Sequence, residues 1–244
     1  MILKVINSGS RGNCYILAAS SGEKLILEAG VNFKEIQAAL DFDLKNVSGV
    51  LVSHKHKDHS LCVDKCLKAG LNVYMNQETF DETKSGFKIL NGVTYEERNL
   101  FHVGNFSVFP LAMKHDVECF GFLISHEESG LILFATDTYF INYDLTSLNL
   151  KHLIVESNYT EEKLQLEEYV SQRVRRSHLS IESLEKIIET RITAPEILTC
   201  TLIHLSDSRS DEIGFKKRIS QIMPFASVEV ANPGVEVELL KTQF

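Results

Sequence analysis

Four side chains that can bind a metal ion lie within the short segment SHKHKDH, residues 53–59. His54 and His56 are two residues apart, and Asp58 and His59 follow them directly. Imidazole and carboxylate ligands together suit zinc, manganese or iron. Four ligands are enough for two adjacent ions, a site typical of enzymes in which water attacks a phosphorus or carbonyl centre. A solvated charged turn would explain the lysines but not the regular spacing of the ligands, so we favour a metal site.

The elements around this segment predict an α/β fold. Apolar, β-branched runs bounded by turn residues predict strands near 2–6, 14–19, 24–28, 49–53 and 72–75, and in a second series at 106–112, 119–125, 131–136, 152–156, 197–203 and 227–239. Helical spacing predicts helices near 33–40, 60–70, 160–175, 180–190 and 211–221. This order favours sheets covered by helices, in which loops at strand ends carry catalytic residues.

Three more potential ligands lie beside predicted strands. His115 precedes the apolar run GFLI, while Asp137 and His204 each follow an apolar run directly. His115 alone would more often be a surface residue and Asp137 a turn or cap residue, but these positions favour a shared site. A fourth residue, His178, instead precedes a predicted helix for which Ser180 can serve as N-cap.

The composition limits the class of protein. With 44% hydrophobic and 24% charged residues and no repeat or linker, residues 1–244 are expected to form one domain. A net charge of −8 argues against a surface that binds long nucleic acids. No apolar run is long enough to span a bilayer and no signal-peptide pattern begins the chain, which predicts a cytoplasmic protein without membrane contact. Five cysteines without a CxxC pair predict reduced, mostly buried thiols.

The HKHKDH segment matches the HxHxDH signature, and here the chain resembles the metallo-β-lactamase fold superfamily. Seven other segments before and after it occur in the family's order: SGSRGNCYIL (8–17), LILEAG (25–30), KHDVECFGFLI (114–124), FATDTY (134–139), LIVESNY (153–159), RRSHLS (175–180) and LIHLSDSRSD (202–211). The SGSxGN opening and both His-Leu-Ser motifs are most similar to the WalJ/YycJ group, with a more distant resemblance to tRNase Z. The resemblance implies an αββα sandwich, with two mixed β-sheets flanked by helices.

The resemblance also implies two divalent ions, zinc or manganese. The implied bridging carboxylate is Asp137. The implied ligands of one ion are His54, His56 and His115, and those of the other are Asp58, His59 and His204. Where family members usually carry Asp, this chain has Glu28. A carboxylate at that position normally orients a ligand histidine rather than binding metal, so we expect retained activity with an altered metal preference.

A proton donor is implied by the resemblance to tRNase Z, in which a histidine oriented by a glutamate protonates the leaving oxygen. His178 and Glu156 match that pair, and a carboxylate raises the pKa of a neighbouring imidazole. Substrate contacts are expected from Ser10 and Asn13 in the glycine-bounded loop and from Arg176. Simple turn formation explains that loop equally well.

The combination of Asp58 with the Glu156–His178 pair resembles the sites of the phosphodiesterase branch of the family. Within that branch, three kinds of nucleotidic substrate remain open. Phage anti-Pycsar enzymes hydrolyse cyclic mononucleotides, the WalJ/YycJ group cleaves DNA exonucleolytically, and tRNase Z processes tRNA 3′ ends. The acidic charge favours a small or cyclic nucleotide over DNA, although Lys55, Lys57 and residues 173–176 could line a groove for a strand. No inserted arm for tRNA is evident. The resemblance also allows a homodimer, and a non-catalytic binding protein remains the alternative from another class.

Overall fold

The computed structural model describes residues 1–165 and 168–242. Strands β1 to β6 are Ile2–Asn7, Cys14–Ala18, Lys24–Leu27, Val47–Leu51, Val73–Met75 and Gly92–Thr94. Strands β7 to β13 are Phe101–Val103, Phe106–Ala112, Phe120–His126, Gly130–Ala135, Leu150–Glu156, Thr199–Ile203 and Ser227–Val230. The last strand, β14, is Glu236–Glu238.

The strands form two mixed sheets of seven strands each. The first has the order β14-β1-β2-β3-β4-β5-β6 and the second the order β13-β12-β11-β10-β9-β8-β7. In the first sheet, β3 to β6 pair in parallel and the other pairs are antiparallel. In the second, β10 to β13 pair in parallel and the other pairs are antiparallel.

Helices cover the outer faces of both sheets. Helices α1 to α5 are Phe33–Ala39, Lys57–Ser60, Val63–Lys68, Gln77–Glu82 and Lys88–Asn91, and α6 to α9 are Glu161–Gln165, Glu168–Ser177, Ile181–Arg191 and Glu212–Ile222. A short 3₁₀ turn spans Ala194–Glu196. The described part of the chain contains no helix with the length and hydrophobicity that crossing a membrane requires.

Alternation of side chains along the strands produces three apolar layers. In β2, Tyr15 and Leu17 point into the layer between the sheets, whereas Cys14 and Ile16 point to the helices α1 and α3. On the far side, the outer face of the second sheet packs against α8 and α9. Strands that are buried on both faces, such as β2 and β10, have continuously apolar rather than alternating sequences. The predicted αββα sandwich is confirmed, and all five cysteines are buried and reduced.

One sequence-based boundary was wrong. The run 227–239 is divided between β13, in the second sheet, and β14, in the first. Pro233 lacks an N–H group and Gly234 takes a φ of 86°, so the chain turns there and crosses from one sheet to the other. The helix near 160–175 corresponds to α6 and α7, and residues 166–167 of that prediction lie outside the described residues.

His152, on β11, joins three other segments: the turn between β9 and β10, strand β12 and the segment that follows β14. Its Nε2 donates to the carbonyl oxygens of Ser129 at 3.1 Å and Leu240 at 3.0 Å, and its Nδ1 accepts from the Thr199 hydroxyl at 2.8 Å. Burial lowers the pKa of His152 to about 4. The neutral ring is therefore the form that the folded protein accommodates.

We expect acidification to weaken the contribution of His152 to stability. Because the unfolded histidine has a pKa near 6.5, the unfolded state binds the extra proton as the pH falls from about 6.5 to about 4. The contribution is complete above pH 6.5, and about 2–3 kcal/mol of it is lost over this range. Urea unfolding of the wild type and of His152→Gln at several pH values measures this contribution to the free energy of unfolding. The stability difference between them should shrink on acidification, and a constant difference would contradict this account.

Candidate metal centre

Loops that follow strands in both sheets bring histidine and carboxylate side chains together. They come from the ends of the parallel strands β3, β4, β10, β11 and β12, from the loop after β8 and, for His178, from the link between α7 and α8. Parallel neighbours end at the same edge of a sheet, so side chains that are distant in sequence meet there. Three overlapping groups result, and Asp137 belongs to each of them.

The first group is His54, His56, His115 and Asp137. His56 Nδ1 lies 3.1 Å from His54 Nε2 and 3.2 Å from His115 Nε2. Asp137 Oδ2 lies 3.8 Å from His54 Nε2 and 3.7 Å from His115 Nε2. Burial lowers the pKa of both His54 and His115, which favours the neutral imidazoles that metal ions bind.

The second group is Asp58, His59, Asp137 and His204. His59 Nε2 lies 3.4 Å from Asp58 Oδ2 and 3.3 Å from Asp137 Oδ1, and His204 Nε2 lies 3.6 Å from Asp58 Oδ2. His204 Nε2 is buried and makes no hydrogen bond among the described residues. A buried nitrogen that faces a carboxylate without a hydrogen bond is poorly satisfied, and a cation between them would satisfy both atoms. The residues present therefore fit a metal ion at this position.

The electrostatics of the second group also favour a cation. Burial lowers the pKa of His59 and His204, but the Asp137 carboxylate more than offsets this, so both pKa values lie well above the usual value. Burial raises the pKa of Asp58, yet the neighbouring His204 and His59 rings hold it well below the ordinary range. The carboxylates thus give this buried site a strong preference for added positive charge.

Glu156 holds two histidines at once. Its Oε1 accepts from His178 Nδ1 at 2.7 Å and from His204 Nδ1 at 2.9 Å. Its Oε2 accepts from the backbone N–H groups of Thr138 at 3.0 Å and Leu179 at 3.1 Å. The sequence paired Glu156 with His178 only, since nothing in the motif spacing indicates that one carboxylate reaches both rings. By binding Nδ1 of each ring, Glu156 leaves each Nε2 to face the site.

His178 is the most open of the histidines gathered around Glu156. Its side chain is 20% exposed, whereas that of His204 is 1% exposed. Burial lowers the pKa of His178, but the neighbouring Glu156 carboxylate offsets it, and the net result is a raised pKa. A histidine with this environment can carry a proton at neutral pH.

Glu28 and Asn13 contact His59 at opposite nitrogens of its ring. Glu28 is fully buried, accepts from the Ser53 N–H group at 3.3 Å and lies 3.5 Å from His59 Nδ1. Asn13 is also fully buried, accepts from the Gly9 N–H group at 2.9 Å and lies 3.1 Å from His59 Nε2. These contacts give Asn13 a positioning role, and its predicted contact with substrate stays a prediction.

The backbone at three of these residues is unusual. Glu28, Asp137 and His204 have φ values of 66°, 46° and 54°, in the left-handed region that residues with a Cβ rarely adopt. Such conformations cost on the order of 1–3 kcal/mol each and persist where surrounding contacts determine them. Each residue directly follows or lies close to a strand end, so the left-handed turn directs its side chain into the site.

The other predicted substrate residues lie at the surface. Ser10 and Arg176 are exposed, and Arg176 makes no hydrogen bond or ion pair within the described part of the chain. Arg175 instead pairs with Glu161 at 2.9 Å. Lys55, in the metal segment, contacts the carboxylates of Glu78 and Glu82 on α4.

Gly30 allows the metal segment to lie against the neighbouring loop. A Cβ at this position would overlap the carbonyl oxygen of Asp58. We therefore expect Gly30→Ala to displace Asp58, to lower stability by about 1–3 kcal/mol and to weaken metal binding. Thermal unfolding and metal titration measure the two effects. Gly86→Ala is the matched control because a Cβ there meets nothing within 4 Å; equal behaviour of the two variants would contradict the prediction.

Comparisons with known proteins identify the family of the chain. The family model described as "Beta-lactamase superfamily domain" matches residues 26–199. The exodeoxyribonuclease YycJ of Bacillus anthracis is 25% identical over 182 residues, a match that covers 68% of this chain and 66% of that protein.

Solved structures show the same fold. The metallo-β-lactamase fold protein YhfI of Bacillus subtilis matches with a TM-score of 0.76 and 17% identity, over 97% of this chain and 99% of that one. Human tRNase Z, short form, matches with a TM-score of 0.65 and 13% identity, over 98% of this chain and 99% of that one. The chain therefore belongs to the beta-lactamase superfamily.

Proposed function

We propose that this enzyme hydrolyses phosphodiester bonds of nucleotides with two divalent ions and that its preferred substrate is a small or cyclic nucleotide. The observation that carries the proposal is the 2.7 Å contact between Glu156 Oε1 and His178 Nδ1 beside the two ligand groups. A phosphodiester releases an alkoxide, which benefits from a proton donor in this position. Lactam hydrolysis has less need of that pair.

The residues proposed to hold the ions are those of the first two groups, with Asp137 shared between them. Two divalent ions in such a site lower the pKa of a water molecule and stabilise the leaving oxygen. Glu28 and Glu156 keep His59 and His204 oriented through their Nδ1 atoms.

His178 is proposed to donate the proton that the leaving oxygen needs. The hydrogen bond to Glu156 fixes Nδ1, so the proton on Nε2 is the one available for transfer to a substrate. Asp58 serves as a ligand of the second ion and, through its contact with His204, fixes that side of the site.

The charges around the site support a small substrate. Of the cations that could line a groove for a nucleic acid strand, Lys55 is neutralised by Glu78 and Glu82 and Arg175 by Glu161. The whole chain carries a net charge of −8. Affinity for a long nucleic acid strand comes from many cationic contacts with phosphates. Because these ion pairs neutralise Lys55 and Arg175, few cations remain to bind such a strand.

DNA is the second candidate substrate. The similarity to the exodeoxyribonuclease YycJ favours it. Lys57, Arg173 and Arg176 are exposed and have no carboxylate partner among residues 1–165 and 168–242, so a short basic surface remains. Three cations allow only a few phosphate contacts, which is why we place DNA second.

A panel of substrates distinguishes the proposed cyclic-nucleotide activity from the DNA alternative. The enzyme, loaded with Mn²⁺ or Zn²⁺, is incubated with cyclic mononucleotides, single- and double-stranded DNA and RNA, and products are followed over time at several salt concentrations. The proposal predicts rapid opening of the cyclic nucleotide with a weak dependence on salt, and loss of that activity in His56→Ala. Stepwise shortening of DNA with a steep salt dependence, and untouched cyclic nucleotides, would establish the exonuclease instead.

A further inference from the structure

A cavity of about 290 Å³ lies beside His204, a member of the second group. Its lining comes from the end of β1, from the loop after β1 and from the loops that follow β12 and β13. Because β12 and β13 pair in parallel, the last two loops lie at the edge of the sheet that carries the proposed ligands. Ser8 lines the cavity and its Oγ accepts from the His204 N–H group at 2.8 Å, so the cavity borders the metal centre.

Ser206 brings an unused hydroxyl to this cavity. The residue is only 8% exposed, and its Oγ makes no hydrogen bond with the residues that the structure describes. In the other His-Leu-Ser motif, Ser180 Oγ accepts from the Ser183 N–H group at 3.1 Å and caps α8. The helix that follows Ser206, α9, is capped by Asp211 instead. The Ser206 hydroxyl therefore has no role in starting a helix, and it can both donate to and accept from a ligand.

Asn7 offers a second unpaired polar group. It is the last residue of β1, and the register of its pairing with β2 shifts just before it, as at a β-bulge. A bulge directs a side chain away from the regular pattern of the strand. The half-buried amide lines the cavity and makes no hydrogen bond within the described part of the chain. An amide presents donors and an acceptor side by side, the pattern with which asparagine recognises the edge of a nucleobase.

The other walls suit an uncharged ring rather than a phosphate. Leu205 and Val230 supply apolar surface. The carboxylates of Asp207 and Glu212 outnumber the one cation, Arg11, which pairs with Asp207 at 3.5 Å. This excess of negative charge disfavours a phosphate. The volume is near the lower limit, about 300 Å³, of sites for drug-sized ligands, so the cavity suits one part of a nucleotide rather than a whole one.

We propose that this cavity holds the nucleobase of the substrate, with Asn7 and Ser206 bonding to its edge, while the phosphodiester lies at the metal centre. The inference rests on the proposed function and assigns the part of the molecule that recognises the base. The base takes no part in the bond cleavage, so its contacts are the same in the ground state and the transition state. Such contacts act on KM rather than on kcat.

Kinetics on substrates with and without a base test the proposal. The wild type and three variants, each loaded with Mn²⁺, are given cyclic AMP, cyclic CMP and methyl riboside 3′,5′-cyclic phosphate, which has the same reacting ring but no base. Asn7→Ala removes the amide, and Ser206→Leu fills the cavity. Asn149→Ala is the matched control, because Asn149 is exposed and precedes β11 at the end opposite Glu156. Thermal unfolding and metal analysis verify that the four proteins fold and bind metal alike; Asn7→Ala decides the outcome if the larger leucine impairs folding.

Asn7→Ala should raise KM for both cyclic nucleotides about tenfold, and Ser206→Leu at least as much, while kcat changes by less than about threefold. Each of these variants should lower the ratio of kcat/KM for cyclic AMP to that for the base-free ring by about tenfold, and Asn149→Ala should leave the ratio unchanged. An unchanged ratio in Asn7→Ala would overturn the inference alone. A wild type that opens none of the three rings would overturn the proposed function together with the inference.

Discussion

Asp137→Asn is expected to lose at least one of two bound ions and to lower kcat/KM by on the order of 10³-fold or more, because Asp137 is the carboxylate shared by both ligand groups. Asparagine keeps the size of the side chain and tolerates the left-handed backbone at φ 46°, so the change removes the charge rather than the local fold. Metal analysis after dialysis and hydrolysis of the preferred nucleotide measure the two losses.

The control for this variant is Asp144→Asn. Asp144 is an exposed turn residue whose carboxylate bonds to Thr146, away from the ligand groups. It should retain two ions and wild-type activity. If Asp137→Asn also kept both ions and its activity, Asp137 would not be the shared ligand.

His178→Ala is expected to lower kcat about 10²- to 10⁴-fold for a substrate with an alkoxide leaving group, because the general acid is removed. The same variant should lose far less activity on bis(p-nitrophenyl) phosphate, since p-nitrophenolate leaves without being protonated. Steady-state kinetics on both substrates give the comparison. Metal content should stay unchanged, because His178 is not among the expected ligands of either ion.

His102→Ala serves as the matched histidine control. His102 is exposed on β7, where its Nδ1 lies 3.2 Å from the Ser107 hydroxyl, and it has no contact with the ligand groups. Both substrates should be hydrolysed at the wild-type rate by this variant. An equal loss on both substrates in His178→Ala would show that His178 supports the structure of the site rather than donating a proton.

The sequence predicted the parts of the site that obey local rules. Residues 54–59 share one loop, and Asp137 and His204 each follow an apolar run, so the tendency of functional loops to lie at strand ends predicts that they lie together. Parallel pairing within each sheet then explains why they meet. Sheets covered by helices followed from the same runs, whereas the number of sheets and their mixed pairing followed from the family resemblance.

Other features depend on contacts that no local pattern encodes. The hydrogen bonds from His178 and His204 to Glu156 depend on how β11, β12 and α8 are placed relative to one another. Neutralisation of Lys55 depends on α4, a six-residue helix whose composition gave no clear signal. The division of 227–239 was missed because valines alternate with polar residues on both sides of the Pro233-Gly234 pair, although that pair was a signal available in the sequence.

The number of divalent ions per chain tests the central claim most directly. Purified wild-type protein is stripped with a chelator, dialysed against Mn²⁺ or Zn²⁺ and analysed by atomic emission, with Asp137→Asn treated in parallel. The account predicts two ions per wild-type chain and fewer in the variant. A wild type that holds only trace metal after this treatment would contradict the account, because the converging histidines and carboxylates would then have a purely structural role.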